Sequence, residues 1–377
     1  SYESKKDRIM QRLTHALFLL LFTLLTTSAT ADTLRILTWE GYVDANEVDD
    51  INKILEDKGY SHRIEVIEPW AEGPHQMYTL LKNNKADISF LTLNYIGQKQ
   101  GKIARLLQPI NINSPRLYNY QYLLPELTDI SMGTMDNEVL YIPWGGGAYG
   151  IWANMNKLNN TQLPQRVADL WDRKWFGKLS LSRGQIEPNI ALASLAMGEK
   201  PFYLNHWTIP TKKLYKMTAA ESSIQHKVNG LCQQVGDFWE ASPSFNNDLL
   251  LVASYGFGAA QANKDGGNWK LIDFEDGNTV WLDTINFHKN LSGTKLEAAE
   301  IFANYFIGKK IQQKIVNDLG MVGVTSELLS NPMLQDNPDF FKRELLWPPY
   351  NRKVSMVLRK LSKRAMRVRK KLLKSIN

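Results

Sequence analysis

Leu34-Arg35-Ile36-Leu37-Thr38-Trp39-Glu40-Gly41-Tyr42 is the stretch from which the fold is read. Leu34, Ile36 and Leu37 form an apolar run of strand character that breaks off at Trp39-Glu40-Gly41-Tyr42. Two aromatic rings and a carboxylate therefore stand where a first strand leaves its sheet. In an open α/β sheet that edge is where ligands bind. An aromatic face with a negative group beside it suits a cation or an apolar chain. The same residues equally make an interface tryptophan, a turn glycine and a solvated glutamate, so the reading depends on the chain around them.

Downstream, strand and helix patterns alternate. Asp44 followed by Glu47 has the form of a capping box, Val48, Ile51, Ile54 and Leu55 make a helical stripe, and Gly59 stops it. Residues 64–67 read as a second strand, 77–81 as a short helix and 87–91 as a third strand, a βαβαβ order. That third strand runs into Thr92-Leu93-Asn94-Tyr95, which adds polar and aromatic groups to the edge that carries Trp39. Tyr141-Ile142-Pro143-Trp144 followed by Gly145, Gly146 and Gly147 reads as a strand stopped by proline and a flexible crossover between lobes. No Gly-Lys-Ser/Thr follows, so it is not a phosphate loop. Beyond it, strands are expected at 149–153, 177–181, 249–253, 269–272 and 279–287. Helices are expected at 167–171, 190–197 and, as one long element, 295–319. In strand 279–287, Trp281 and Asp283 are two residues apart and point to one face. For a protonated amine that pair supplies a π-face and a counter-ion; a seam tryptophan beside a surface aspartate is the plainer alternative.

The N-terminal residues 1–31 have the form of a secretory signal: Lys5, Lys6, Arg8 and Arg12, then an apolar run at 16–25 interrupted only by Thr23, then Ala29-Thr30-Ala31. The run is too short to span a bilayer. The mature product is expected to start near Asp32 and to be periplasmic; an uncut signal anchor is the alternative. Cys232 is the only cysteine, so no intramolecular disulfide can form and the fold must be held by its core. The whole chain carries a net charge of +7, yet residues 352–377 hold 11 basic and no acidic residues, and residues 32–351 hold 30 basic and 36 acidic ones. An acidic body with a basic tail favours a cationic ligand over nucleic acid.

Enzyme signatures are missing from the sequence. The six histidines are scattered with no His-Glu-x-x-His and no His-x-His, and no Gly-x-Ser-x-Gly elbow occurs. Neither a catalytic set, a metal site nor a cofactor is expected. Tyr118 and Tyr120 read as packing residues rather than ligands of ferric iron.

Taken in order, residues 34–42, Met77-Tyr78, residues 141–154, residues 167–181 with Ala168-Asp169-Leu170-Trp171, Trp281-Leu282-Asp283 and the helix that ends at Gly320 resemble the periplasmic spermidine/putrescine-binding proteins of ABC transporters. The resemblance implies an α/β fold of the two-lobed, type II solute-binding class, closing on a linear polyamine in the cleft between lobes. It divides the chain into a signal peptide (1–31), lobe 1 (32–143 with 284–326), lobe 2 (144–283 with 327–351) and a basic C-terminal helix (352–377). Carried over by position, its aromatic box falls on Trp39, Tyr42, Tyr255 and Trp281, its amine-binding carboxylates on Glu187 and Asp283, and a cleft hydroxyl on Thr92. Glu40 substitutes for an acidic position that is Gly41 here. Gly184 and Met321 replace an acidic residue and a tyrosine of the family pattern, and Arg183 is added nearby.

The function implied is binding of spermidine, putrescine or norspermidine for delivery to an inner-membrane ABC permease. A periplasmic polyamine sensor that docks on a transmembrane signalling receptor is the alternative, and a different solute such as a sugar is a second one. From Arg352 onward, Val354, Val357, Leu358, Leu361, Ala365, Val368 and Leu372 recur at threes and fours with Lys and Arg elsewhere, which is a basic amphipathic helix. Two readings fit it: a terminal helix packed on lobe 2 with a solvated basic face, and an arm that contacts an anionic membrane surface or an acidic partner.

Overall fold

The computed structural model describes residues 32–97, 102–240 and 242–376; the expected signal segment, 1–31, lies outside them. In chain order its main elements are β1 (Thr33–Leu37), α1 (Ala45–Asp57), β2 (Arg63–Val66), α2 (Pro74–Lys82), β3 (Ile88–Thr92) and β4 (Ile142–Asn154). Next come β5 (Leu179–Ser182), α3 (Ile186–Ala196), α4 (Thr211–Met217), α5 (Ser223–Gln234), β6 (Val235–Trp239), β7 (Leu251–Ser254), α6 (Gly256–Lys264) and β8 (Trp269–Leu271). The chain closes with β9 (Thr279–Phe287), α7 (Gly293–Phe306), α8 (Lys309–Leu319), β10 (Val322–Gly323) and α9 (Arg352–Ile376).

The start of the chain folds as its pattern dictates. Asp44 accepts the Glu47 N–H at 2.9 Å and Glu47 accepts the Asp44 N–H at 3.0 Å, closing the capping box of α1. Ile51 and Leu55 of that helix are buried, and Gly59 leaves it at φ +82°. β1 lies parallel to both β2 and β3. All five residues of β3 are buried, as expected of a strand covered on both faces.

One sheet runs through both lobes in the order β2-β1-β3-β9-β4-β7-β5-β6, with β8 and β10 also paired to β4. β9 runs antiparallel to β3 and β4; β4 is antiparallel to β7, and β5 is parallel to its neighbours β7 and β6. The first core gathers side chains of β1, β3, β9, α7 and α8. A second gathers those of β5, β7 and the far half of β4. A third lies between α3, α5 and α9.

Several expectations need correction. Pro143 does not stop a strand, and no separate strand begins at 149: β4 is a single buried strand of 13 residues that passes from one lobe into the other. Proline is tolerated because Pro143 faces Thr284 at the register shift between Asp283 and Thr284, where a ladder is already irregular. The three glycines serve close packing. A Cβ on Gly147 would stand 2.6 Å from Trp281 Cζ2, one on Gly146 2.5 Å from the Phe341 ring, and one on Gly145 2.7 Å from Met321 Cε. Residues 167–171 form a 3-10 turn rather than an α-helix. The long helix expected at 295–319 is two, α7 and α8, parted at Ile307-Gly308.

Residues 327–351, assigned from sequence to lobe 2, put Phe340, Phe341, Leu345 and Leu346 into the first core. They are drawn there along β9, where Leu346 bridges Val280 and the Trp347 N–H donates to the Val280 carbonyl at 3.0 Å. The C-terminal helix packs on the second lobe, burying Val354, Val357, Leu358, Leu361 and Ala365. No helix of the described residues is long and apolar enough to cross a membrane.

Candidate functional site

Because β1 and β3 are parallel, the residues that follow them emerge at one edge, which carries Trp39 after β1 and Thr92 at the end of β3. β9 comes back along β3 with Asp283 opposite Thr92. Two residues earlier on the same face stands Trp281, opposite Gly147. The second lobe contributes Tyr255, which follows β7 and begins α6. These side chains enclose a cleft of about 360 Å³ that is also lined by Glu40 and Tyr42.

Seven of the eight residues expected at the site thus share one cavity. Glu187 does not. It lies in the adjoining pocket behind Tyr95, Gln185 and Trp347, where its carboxylate accepts from Asn205 Nδ2 at 2.8 Å. The reason is local: the segment after β5 turns into α3 at Ile186, and it is Gln185, just before the helix, that points into the aromatic cleft. Burial raises the pKa of Glu187 and the Asn205 hydrogen bond opposes that rise.

Asp283 is the chemical centre of the cleft. It is 3% exposed. Its Oδ2 accepts the Tyr42 hydroxyl at 2.5 Å, while its Oδ1 has no hydrogen-bond partner and no Lys or Arg of the described residues pairs with it. Burial pushes its pKa up from 3.8 to about 6, against the Tyr42 and Thr92 hydroxyls, which favour the charged form. The same carboxylate, after burial, helps to raise the pKa of Tyr42, so that phenol stays a donor. A buried carboxylate with one unpaired oxygen and no counter-ion is what a cationic ligand would complete.

Aromatic rings line the same cleft. Trp39 is fixed by its indole N–H donating to the Phe90 carbonyl at 2.9 Å. Tyr42 packs against Trp144 with centroids 4.3 Å apart. Tyr255 meets Trp281 edge-on at 6.2 Å and Trp347 at 6.0 Å. The indole N–H groups of Trp281 and Trp347 have no acceptor among the described residues. Glu40 and Glu72, both exposed, put two further carboxylates at the cleft.

Trp347, Phe257, Gln185, Glu72 and Leu319 line the cleft and were not singled out from sequence. Trp347 left the clearest signal, an aromatic residue before Pro348-Pro349 that no periodic element claims. Tyr95, expected at the edge that carries Trp39, and Met321, expected in place of a tyrosine of the family pattern, also line the cavity. Tyr118 is exposed, and neither it nor Tyr120 lines the cleft.

Comparison with known proteins fits this geometry. The family model for bacterial extracellular solute-binding proteins matches residues 100–344. The spermidine/putrescine-binding periplasmic protein 1 of Haemophilus influenzae is 24% identical over 344 residues, 84% of each chain. Among solved structures, the spermidine/putrescine ABC transporter substrate-binding protein PotD of Streptococcus pneumoniae superposes with a TM-score of 0.69 at 17% identity, over 90% of this chain and 99% of that one. The Tp0655 (TpPotD) lipoprotein of Treponema pallidum gives 0.65 at 12% identity, over 89% and 99%. At these identities the structural matches establish the two-lobed α/β fold.

Proposed function

The chain belongs to the bacterial extracellular solute-binding proteins, a family of binding proteins rather than enzymes, and we propose that its cleft takes a linear polyamine of the putrescine, spermidine or norspermidine class. The observation that carries this reading is Asp283, buried within a ring of aromatics with one carboxylate oxygen unpaired. A protonated amine seated there would meet a counter-ion and the faces of Trp39, Tyr255 and Trp281. Its methylene stem would lie along the same rings. A sugar would stack as well but would leave the buried charge uncompensated.

The contacts reach the gross scale of the affinity required and leave little surplus. Micromolar affinity requires about −8 kcal/mol. One charge-assisted hydrogen bond to Asp283 supplies roughly 1.5–3 kcal/mol, two desolvated cation–π contacts about 2–4, and each buried methylene roughly 0.8. A four-carbon stem brings the gross total to about 7–10 kcal/mol before association costs. Glu40 and Glu72 draw a second ammonium towards the mouth of the cleft. With Glu187 outside the aromatic cavity, one deep carboxylate sets the first amine and the ligand's length is judged at the rim and at the wall formed by Tyr95 and Trp347.

In this reading, ligand favours lobe closure and a membrane ABC permease recognises the closed form. The relative from Haemophilus influenzae, named for spermidine and putrescine binding, supports the ligand class. Calorimetric titration with putrescine, spermidine, norspermidine and spermine, beside a sugar and an amino acid, tests it. Micromolar or tighter binding of a polyamine alone is expected; silence with all four polyamines refutes the assignment.

A further inference from the structure

α9 holds 11 Lys and Arg residues and no carboxylate. Three of the cations are used inward. Lys353 Nζ donates to the Ile209 carbonyl at 3.2 Å, Arg364 to the Thr218 carbonyl at 2.7 Å, and Arg369 donates to the Val235 carbonyl at 2.9 Å while lying over the Phe238 ring. The other eight are exposed, and no cation of α9 forms an ion pair with a carboxylate of the described residues. Arg352, Arg359, Lys363, Arg367, Lys370 and Lys374 follow one another at steps of three, four or seven residues, which stacks them along the side of the helix opposite Val354, Leu358, Leu361 and Ala365. At 25 residues the row is about 37 Å long.

The basic face continues onto the neighbouring helix. Lys360 lies over the Tyr215 ring of α4, 5.6 Å from its centroid, and α4 exposes Lys212, Lys213 and Lys216. Residues 211–234 and 352–376 together contain 15 Lys and Arg against one carboxylate, Glu221, whereas the rest of the chain from Asp32 has 26 basic and 35 acidic residues. The charge of the molecule is thus sharply divided. Exposed large apolar side chains lie towards the two ends of α9. Trp207, in the loop that Lys353 ties to α9, is 83% exposed, Tyr215 is 48% exposed, and Leu373 and Ile376 are exposed at the free end of α9.

We infer that the outward face of α9, with α4 and the Trp207 loop, is a docking surface for an anionic phospholipid bilayer. A cationic row w/o counter-ions supplies long-range attraction to such a surface, and an acidic remainder fixes which side of the protein faces it. Exposed tryptophan and tyrosine beside lysines match the water–lipid boundary, where amphipathic rings reside. The apolar side of α9 is already spent on the third core, so the helix lies against the headgroups without leaving the protein. The inference does not depend on which solute fills the cleft.

The chain from Asp32 to Asn377, which carries both lobes and omits the apolar run at 16–25 that would bind vesicles by itself, is sedimented with phosphatidylcholine vesicles and with phosphatidylcholine/phosphatidylglycerol vesicles. Binding to the anionic vesicles alone is expected at about 0.05 M salt, with loss at about 0.5 M, where charges are screened over a few ångströms. The exposed triple variant K363E/R367E/K370E should bind at least tenfold more weakly with an unchanged melting curve, and Trp207→Ala should weaken binding severalfold without altering the salt dependence. Equal binding to both vesicle types, no binding to anionic vesicles at low salt, or a triple variant that binds like the parent overturns the proposal. Retention on immobilised polyglutamate without vesicle binding also overturns it and identifies the occupant as an acidic protein segment.

Discussion

Replacing Asp283 by Asn separates the cost of its buried charge from its use. In the ligand-free protein its pKa rises from 3.8 to about 6 because the carboxylate is desolvated, so between these pH values the folded state holds a proton that the unfolded state has lost. Stability must therefore fall as pH rises from about 4 to about 6 and stay low above that, by roughly 3 kcal/mol in all. Asparagine never ionises and can still accept the Tyr42 hydroxyl. The variant should then be more stable than the parent at pH 7.5, by up to about 3 kcal/mol, with a melting temperature higher by a few degrees. Near pH 4 the advantage should vanish. Polyamine at a thousandfold excess over Kd should reverse the order, because it adds about 4.1 kcal/mol to the parent and little to the variant. Parent affinity should itself drop about tenfold between pH 7.5 and pH 5, as the free carboxyl takes up a proton. Thermal melts at pH 4, 6 and 7.5, with and without ligand, decide the matter. An Asn variant that is less stable than the parent at pH 7.5 without ligand, or that binds polyamine equally well, refutes the claim that this site is a buried charge awaiting a cation.

Trp281→Ala removes a cation–π face and the apolar wall beside the stem, about 2–3 kcal/mol together, so calorimetry should record a 30- to 150-fold weaker polyamine. Glu187→Gln, in contrast, should leave putrescine affinity within about threefold, because that carboxylate is bonded to Asn205 in the adjoining pocket; a loss comparable to that of Trp281→Ala would mean that the ligand reaches behind Trp347. Gly256→Ala should hold the lobes apart at the base of the cleft, since its Cβ would stand 1.9 Å from the Gly320 carbonyl oxygen. Small-angle scattering of the ligand-saturated variant should show a larger radius than the saturated parent, and tenfold or weaker binding should accompany it.

Legibility followed the range of the interactions. The capping box at Asp44 and Glu47, the five-residue β3 and the strand 279–287 were readable because each is fixed by neighbours in sequence or by covering both faces of a strand. The partnership of Trp281 and Asp283 was readable for the same reason, a period of two. Gly145, Gly146 and Gly147 misled because the same missing side chain serves freedom in a loop and contact in a sheet. Only Trp281 and Phe341, more than 130 residues away, decide between them. Trp347 is not legible in the sequence because nothing local holds it: its backbone is tied to Val280 and its ring meets Tyr255, both placed by the far parts of the chain. Glu187 and Gln185 show how fine the margin is. Positional correspondence selected the acidic residue of the middle loop, but the turn into α3 directs the residue two earlier into the cleft. A shift of two residues at a helix start exchanges a charged wall for a neutral one, which leaves Asp283 as the deep carboxylate and, under the proposed function, would make the amine placed there the reference point from which the rest of the ligand is measured.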